Sequence, residues 1–165
     1  MSGLRLLGID PGLQKCGWGI VISDGSRLAH VAHGVIKPPT QLALAERLLA
    51  VLDGLAAVIA AHSPDEAAVE ETFVNANPRS ALALGQARGA AMIAPARAGL
   101  VVAEYSPTTI KKAVVGSGSA DKDQIAFMVR RLLPAAGAVT ADAADALAVA
   151  LCHAAHSGYR RKTGG

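Results

Sequence analysis

The chain has 165 residues, of which 52% are hydrophobic, and it carries a formal net charge of +3. This length suits one domain with a substantial core, and charged residues interrupt the apolar stretches before they reach the roughly 20 residues of a membrane helix. The first apolar stretch is short and lacks the basic flank of a signal peptide, so we exclude membrane and secreted proteins and expect a cytoplasmic one.

Charge is distributed unevenly along the chain. Residues 1–74 have 5 basic and 8 acidic side chains, whereas residues 75–165 have 11 and 5. This asymmetry suits a protein in which an acidic pocket lies beside a surface that attracts a polyanion. The two cysteines, Cys16 and Cys152, are far apart in sequence and are expected to be reduced thiols.

The first 37 residues predict an antiparallel meander. Apolar runs indicate three strands with the turn DPGLQKC after the first, and these strands span residues 4–9, 17–22 and 27–37. Pro38, Pro39 and Thr40 then end the third strand and cap a helix in which leucines recur at helical spacing to about His62.

From residue 66 onwards short strands alternate with helices. Strands are predicted at 66–71 and 100–105, and helices at 79–99, 108–116, 121–134 and 140–157. Asn77 and Ser106 each precede a proline, a pattern typical of helix starts, and Pro95 should end or bend its helix. Residues 158–165, GYRRKTGG, show no apolar periodicity and predict a flexible basic tail.

This order of elements indicates an α/β fold. Three antiparallel strands followed by alternating strands and helices predict a ribonuclease H-like mixed five-stranded sheet flanked by helices, in a single domain over residues 1–157. Ligand crevices of open α/β sheets form beyond the carboxyl ends of the strands. Acidic residues at those ends are therefore the first candidates for a functional site.

Three segments place carboxylates at such positions. Asp10 ends the first strand, Glu70 and Glu71 end the strand AAVEE, and Asp142 and Asp145 share one face at the start of the last helix. Each has a simpler explanation, since Asp-Pro-Gly is a common turn, strand ends are often solvated, and acids favour the helix dipole at an N-terminus. Glu70 and Glu71 point to opposite faces, so only one of them can join a shared pocket.

Four carboxylates in one pocket would repel one another unless cations joined them. Two divalent ions would balance their charge, which is the arrangement used in two-metal phosphoryl chemistry. Oxygen ligands favour Mg²⁺, with Mn²⁺ as a substitute, over zinc. The residues therefore predict two Mg²⁺ ions per active site.

Five motifs follow one another along nearly the whole chain: GIDPGLQKCGWGI, VEETF, SALALGQARGAA, KKAVVGSGSADK and TADAADALAVALCHA. In this order and spacing they resemble the RuvC family of bacterial Holliday-junction resolvases. The resemblance implies a ribonuclease H-like homodimer that cuts two strands of a four-way DNA junction symmetrically in recombination and repair. It also implies association with the RuvA and RuvB branch-migration proteins.

Carried over by motif, the metal-binding catalytic tetrad is Asp10, Glu70, Asp142 and Asp145. The family usually has a neutral polar residue after the catalytic glutamate, whereas this chain has Glu71, so a shifted strand would give Glu71 the role. We hypothesise that one ion activates a water that attacks the phosphodiester in line, while the second stabilises the departing 3′ oxygen. The products would carry 5′-phosphate and 3′-hydroxyl ends.

The loop TFVNANPRS supplies the first candidate DNA contacts. Phe73 is either a core aromatic or, as the resemblance favours, a wedge that stacks on a base unpaired at the junction. Asn75 and Arg79 are candidates to contact the DNA backbone or bases, and Asn77 is either a further contact or only a helix cap.

Basic residues farther along the chain supply the remaining candidates. Lys111, Lys112 and Lys122 flank the loop VVGSGSA, where they form either a solvated basic face or a phosphate-binding surface. By resemblance, Lys111 and Lys122 lie near the scissile phosphate, and Lys122 is counted among the catalytic residues because a fixed ammonium stabilises developing charge. Arg88 is a further candidate phosphate contact, as are Arg130 and Arg131.

Three other functions are compatible with parts of the pattern. GIDPG also resembles the phosphate loop of actin-like kinases and chaperone ATPases, although those need two large lobes. A non-catalytic junction-binding module and a ribonuclease H-like nuclease acting on RNA remain the other two. Nucleotide hydrolysis without DNA would support the ATP-binding relative. Equal junction processing by wild type and Asp10→Asn would support the binding module, and faster cutting of RNA substrates than of junctions would support the RNA nuclease.

Overall fold

A computed structural model of the chain describes residues 2–71 and 77–163, the last five of these by their backbone alone. The strands are β1 (Leu4–Asp10), β2 (Cys16–Ser23), β3 (Leu28–Ile36), β4 (Glu66–Glu70) and β5 (Val101–Tyr105). The helices are α1 (Leu44–His62), α2 (Pro78–Arg97), α3 (Pro107–Val115), α4 (Lys122–Leu132) and α5 (Ala141–Thr163), with a 3-10 turn at Pro134–Ala136.

The five strands form one mixed sheet in the order β3-β2-β1-β4-β5. β1 pairs antiparallel with β2, which pairs antiparallel with β3, while β4 lies parallel to both β1 and β5. The predicted ribonuclease H-like mixed sheet is therefore confirmed. Because β1 and β4 run in the same direction, Asp10 and Glu70 come at the same edge of the sheet.

Helices cover both faces of this sheet. Leu7 and Ile9 of β1 pack into a core cluster with α1 and α2, whereas Leu6 packs into a second cluster with α3, α4 and α5. Side chains alternate along a strand, so Asp10 shares the face of Leu6 and lies on the side of α5. In β4, Val69 joins the first cluster and Ala68 the second, which places Glu70 on the α5 side as well.

Two glycines let α5 lie directly on β1 and β2. A Cβ atom built on Gly8 would lie 2.1 Å from the carbonyl oxygen of Ala146, and one built on Gly17 would lie 2.2 Å from that of Asp142. Any larger residue at these positions would push α5 away from the sheet. Since Gly17 pairs with Asp10 across the β1–β2 ladder, this contact brings the first turn of α5 to the end of β1.

A buried polar cluster ties the middle of α5 to β4 and β5. The imidazole of His153 is fully buried, with its Nε2 atom 2.6 Å from Glu66 Oε2 and its Nδ1 atom 2.7 Å from the hydroxyl of Tyr105. Buried polar groups need such partners to offset their lost hydration. The position of α5 is thus set by hydrogen bonds as well as by packing.

Several predicted boundaries differ from the structure. Thr40 does not cap α1, which begins only at Leu44, where the amide of Ala43 donates to Glu46 Oε2 at 3.2 Å. The helix α2 ends at Arg97, two residues after Pro95, as expected for a proline near its end. The helix α5 does not stop at residue 157 but continues into the predicted tail as far as Thr163.

Two other boundaries follow the prediction. The side chains of Asn77 and Ser106 accept hydrogen bonds from the amides of Arg79 and Thr109, at 3.0 and 3.1 Å, which confirms both as helix caps. Cys16 and Cys152 are both free and buried.

Candidate active site

The four predicted carboxylates line one cleft of about 610 Å³ at the carboxyl edge of β1 and β4. Asp10 comes from the end of β1, Glu70 from the end of β4, and Asp142 and Asp145 from the first turns of α5. The remaining walls come from the residue after β1, from α2, α3, α4 and the segment before α4, and from α5. They are formed by Pro11, Leu84, Pro107, Ile110, Lys111, Ala120, Asp121, Lys122, Ile125 and Ala148.

Asp10 and Glu70 form a hydrogen-bonded pair at the base of the cleft. Burial, followed by the negative charges of Glu70, Asp145 and Asp142, raises the pKa of Asp10 to about 8. Burial also raises the pKa of Glu70, although the hydrogen bond from Asp10 and the charges of Lys111 and Lys122 act in the opposite direction. The two carboxyl groups therefore favour a state in which they share one proton through this hydrogen bond.

Two lysines face the acids of α5. The Nζ atom of Lys15 lies 4.0 Å from Asp142 Oδ2, and that of Lys122 lies 4.0 Å from Asp145 Oδ2. Burial nevertheless raises the pKa of Asp145, since Lys122 is largely exposed and its charge is well solvated. The cleft thus has an excess of negative charge that the surrounding side chains only partly offset.

This donor set fits hard divalent cations. Its four carboxylates offer only oxygen atoms, which Mg²⁺ and Mn²⁺ prefer, and burial together with the neighbouring negative charges raises the pKa of Asp10, a penalty that a bound cation would offset. Within residues 2–71 and 77–163, no three acidic, histidine or cysteine side chains converge as a ready-made metal site. Asp142 and Asp145 lie 4.0 Å from the ammonium groups of Lys15 and Lys122, so a cation held by all four acids would compete with these two lysines.

Glu70 lines the cleft and Glu71 does not. The amide of Glu71 donates to the carbonyl oxygen of Tyr105 at 2.8 Å, which extends the β4–β5 pairing by one bond beyond Glu70. With the register held there, alternation directs Glu70 to the α5 side of the sheet. The alternative in which Glu71 occupies the pocket has no support in this geometry.

The predicted DNA contacts separate into different regions. Lys111 and Lys122 line the carboxylate cleft, whereas Lys112 lines a separate surface cavity with Thr109 and His156. Arg79 is exposed on the first turn of α2. Phe73 and Asn75 lie outside the described residues.

Arg88 is not a free surface cation. Its Nε atom donates to the carbonyl oxygen of Glu70 at 3.2 Å, and its guanidinium forms an ion pair with Glu104 of β5. Arg130 and Arg131 are exposed in the last turn of α4 and do not line the cleft.

Sequence reasoning missed Lys15. This residue lies in the turn between β1 and β2, five positions after Asp10, and nothing in the spacing of the turn indicates where its side chain points. The one available signal was a basic residue within the same short turn as a candidate metal ligand. The contact depends on the first turn of α5 lying over Gly17.

A family model described as crossover junction endodeoxyribonuclease RuvC matches residues 6–153. The chain belongs to the RuvC family. The crossover junction endodeoxyribonuclease RuvC of Caulobacter sp. strain K31 is 64% identical over 151 residues, covering 92% of this chain and 89% of the relative. The corresponding protein of Paramagnetospirillum magneticum is 59% identical over 159 residues, covering 96% of each chain.

Two solved structures share the fold of this chain. The T. thermophilus RuvC in complex with Holliday junction substrate matches with a TM-score of 0.87 and 33% identity, over 94% of this chain and 96% of that one. The yeast mitochondrial Holliday junction resolvase Ydc2 matches with a TM-score of 0.66 at 13% identity, which shows a common fold alone. In the part of the chain that the structure describes, no helix has the length and apolarity to cross a membrane.

Proposed function

We propose that this protein is a metal-dependent endonuclease that resolves Holliday junctions by paired, symmetric nicks, in recombination and repair. The observation that carries the proposal is the convergence of Asp10, Glu70, Asp142 and Asp145 from three separate segments on one cleft. Membership of the RuvC family adds independent support.

In this proposal the four carboxylates hold two Mg²⁺ ions, and Mn²⁺ can replace them. When bound, the ions supply the charge that lowers the pKa of an attacking water and stabilises the departing 3′ oxygen, so that the cut leaves 5′-phosphate and 3′-hydroxyl ends. Asp10 loses the proton that it shares with Glu70, since both must be anionic to bind a cation. Asp142 and Asp145, which now contact Lys15 and Lys122, would bind the cations instead.

The lysines of the cleft act on the DNA. Lys122 and Lys111 line the same cavity as the carboxylates, where their ammonium groups stabilise charge that develops on the scissile phosphate. Lys15, released from Asp142 on metal binding, is free to contact a neighbouring phosphate. Lys112, Arg79, Phe73 and Asn75 are retained as candidate contacts with the junction outside the cleft.

Paired cutting requires two active sites, and a homodimer supplies them because a four-way junction has near two-fold symmetry. The outward face of α2 is suited to the contact. Its exposed positions Leu82, Gly85, Gly89 and Ile93 form one stripe without a polar side chain, and nothing lies within 4 Å of a Cβ built on either glycine. Small residues let two such helices approach closely, while Leu82 and Ile93 bury apolar area at the ends.

Two further parts of the proposal follow from the substrate. A protein that acts on bacterial chromosomal DNA works in the cytoplasm, and the RuvA and RuvB branch-migration proteins are its expected partners on the junction. Specificity for the junction comes chiefly from its shape and from the cost of distorting it.

The test is the cleavage of a mobile synthetic four-way junction by the purified protein, with and without Mg²⁺. We expect paired nicks for the wild type only in the presence of Mg²⁺, and no nicks for Asp10→Asn or Asp145→Asn although both still bind the junction. Equal processing by wild type and Asp10→Asn would contradict the proposal.

A further inference from the structure

Arg88 contacts the catalytic strand from the face of the sheet that α1 and α2 cover, on a helix whose Leu84 also lines the cleft. It lies on α2, which packs with α1 against that face, and its Nε atom donates to the carbonyl oxygen of Glu70 at 3.2 Å. Its NH2 group forms an ion pair with Glu104 of β5, the strand next to β4. One guanidinium thus joins the ends of two adjacent strands to a helix.

These contacts fix the backbone of Glu70 at the point where β4 ends. On the C-terminal side, the amide of Glu71 donates to the carbonyl oxygen of Tyr105 at 2.8 Å, and this is the last bond of the β4–β5 pairing among residues 2–71 and 77–163. The carbonyl oxygen of Glu70 itself is held by Arg88. The peptide after Glu70 is therefore held on both sides, which fixes the direction of the Glu70 carboxylate into the cleft.

The same geometry makes Arg88 a poor contact for DNA. Its side chain is only 22% exposed, and its guanidinium already has a carboxylate partner in Glu104. A phosphate would have to displace that carboxylate and the Glu70 carbonyl, leaving both without a partner. An arginine so engaged acts on the protein rather than on the substrate.

We propose that Arg88 is a positioning residue that aligns Glu70 for metal binding through the backbone of β4, with Glu104 holding the guanidinium in place. This inference rests on the proposed metal-dependent nuclease function. It replaces the sequence-based prediction that Arg88 binds a phosphate. A planar, forked guanidinium reaches the carbonyl and the carboxylate together, which a lysine ammonium at the same position cannot do.

The experiment compares Arg88→Lys, Arg88→Gln and Glu104→Gln with the wild type and with Arg97→Lys, an exposed arginine at the end of the same helix. Three quantities are measured on the synthetic junction: the cleavage rate at saturating protein, the Mg²⁺ concentration for half-maximal rate, and the junction dissociation constant at several salt concentrations. Melting temperatures of all variants establish that they are folded.

We expect Arg88→Lys and Arg88→Gln to need about tenfold more Mg²⁺ or more, since partners that orient metal ligands typically contribute 10- to 100-fold in affinity. Glu104→Gln should raise the Mg²⁺ requirement by a smaller factor. Because this variant removes a negative charge, it cannot weaken a phosphate contact, so the rise would reflect the loss of the partner that holds Arg88. Junction affinity and its salt dependence should stay within about twofold of the wild type, as for Arg97→Lys.

Two results would overturn the inference while leaving the nuclease intact. One is a wild-type Mg²⁺ requirement and rate in folded Arg88→Lys. The other is weaker junction binding with a smaller salt dependence and an unchanged Mg²⁺ requirement, which would identify Arg88 as a phosphate contact. Absence of cutting by the wild type itself would instead contradict the proposed function, so the two failures are distinguishable.

Discussion

The backbone of Gly17 lies against the carbonyl oxygen of Asp142 so closely that a Cβ atom at residue 17 would be 2.2 Å from it. This contact joins the start of β2 to the first turn of α5, and Gly17 also pairs with Asp10. The absence of a side chain at one position therefore sets how close the acids of α5 come to the acid of β1.

Gly17→Ala should consequently damage both stability and activity. The added methyl group must move backbone rather than a flexible side chain, and overpacking of this kind costs about 1–3 kcal/mol of the free energy of unfolding. Displacement of Asp142 should lower the cleavage rate by about 100-fold, the effect that a 1 Å misplacement can have. Thermal unfolding and junction cleavage measure the two effects.

Gly158→Ala is the matched control for that substitution. Gly158 lies within α5 and has no atom within 4 Å of a built Cβ, so alanine should leave activity unchanged and stabilise the helix by up to about 1 kcal/mol. Equal melting temperatures and rates for Gly17→Ala and wild type would show that α5 is free to move without consequence.

Asp10→Asn should stabilise the metal-free protein at neutral pH. Because burial raises the pKa of Asp10 from 3.8 to about 8, the folded protein keeps a proton that the unfolded chain releases across this range. Stability of the wild type therefore falls as pH rises from about 4 to about 8, whereas asparagine does not titrate and can still donate to Glu70. In EDTA at pH 7.5 we expect the variant to melt about 2–8 °C higher.

The difference between Asp10→Asn and wild type should vanish near pH 4, and Mg²⁺ at pH 7.5 should raise the melting temperature of the wild type far more than that of the variant. Asp53→Asn, at an exposed position of α1, is the control and should follow the wild type. A wild type that melts above Asp10→Asn in EDTA at pH 7.5 would refute this account of the cleft.

Lys15→Gln should make Mg²⁺ binding easier and DNA binding weaker. In the proposed metal site a cation competes with the Lys15 ammonium for Asp142, and removing that ammonium should lower the half-saturating Mg²⁺ concentration by about 2- to 3-fold, as an exposed pair is weak. The slope of log affinity for the junction against log salt should shrink by about one.

The control for Lys15→Gln is Lys37→Gln, an exposed lysine after β3. It should keep the wild-type Mg²⁺ requirement. A rise in the Mg²⁺ requirement for Lys15→Gln would mean that the ammonium helps to hold Asp142 in its metal-binding position instead of competing for it.

Ile93→Lys should disrupt the proposed homodimer. Ile93 is one of the two large apolar side chains of the α2 stripe, and a charge in its place would have to be buried at the contact, which should cost about 2 kcal/mol or more, roughly 30-fold in the dimer dissociation constant. Sedimentation should show a monomer, and the junction products should shift from paired to single nicks. Leu28→Lys, at an exposed apolar position of β3, should remain a dimer. If both variants are monomers, or both are dimers, the α2 stripe is ruled out as the interface.

The candidate acids were predictable because each depends on a local rule. Asp10 and Glu70 end strands that run in the same direction, and Asp142 and Asp145 are three residues apart at a helix start, so strand order and helical period bring them together. The choice between Glu70 and Glu71 needed the register of β4. The central residues of β4 are buried on both faces of the sheet, so the hydropathy pattern does not show which glutamate points to which face.

The residues that were missed or misread depend on tertiary contacts. Lys15 and Arg88 gain their partners from α5 and from the ends of β4 and β5, which are distant in sequence. Helix boundaries failed for a related reason. The chain after Gly158 has no apolar periodicity, yet it continues α5 to Thr163, because a long helix that is already anchored propagates at little cost.

The helix α5 contributes to the larger core cluster and also carries two of the four acids. Heating that unfolds this helix would therefore separate the proposed metal ligands and expose the core together. Heat inactivation of the nuclease and loss of its tertiary structure should therefore occur over the same temperature range, without a folded but inactive state between them.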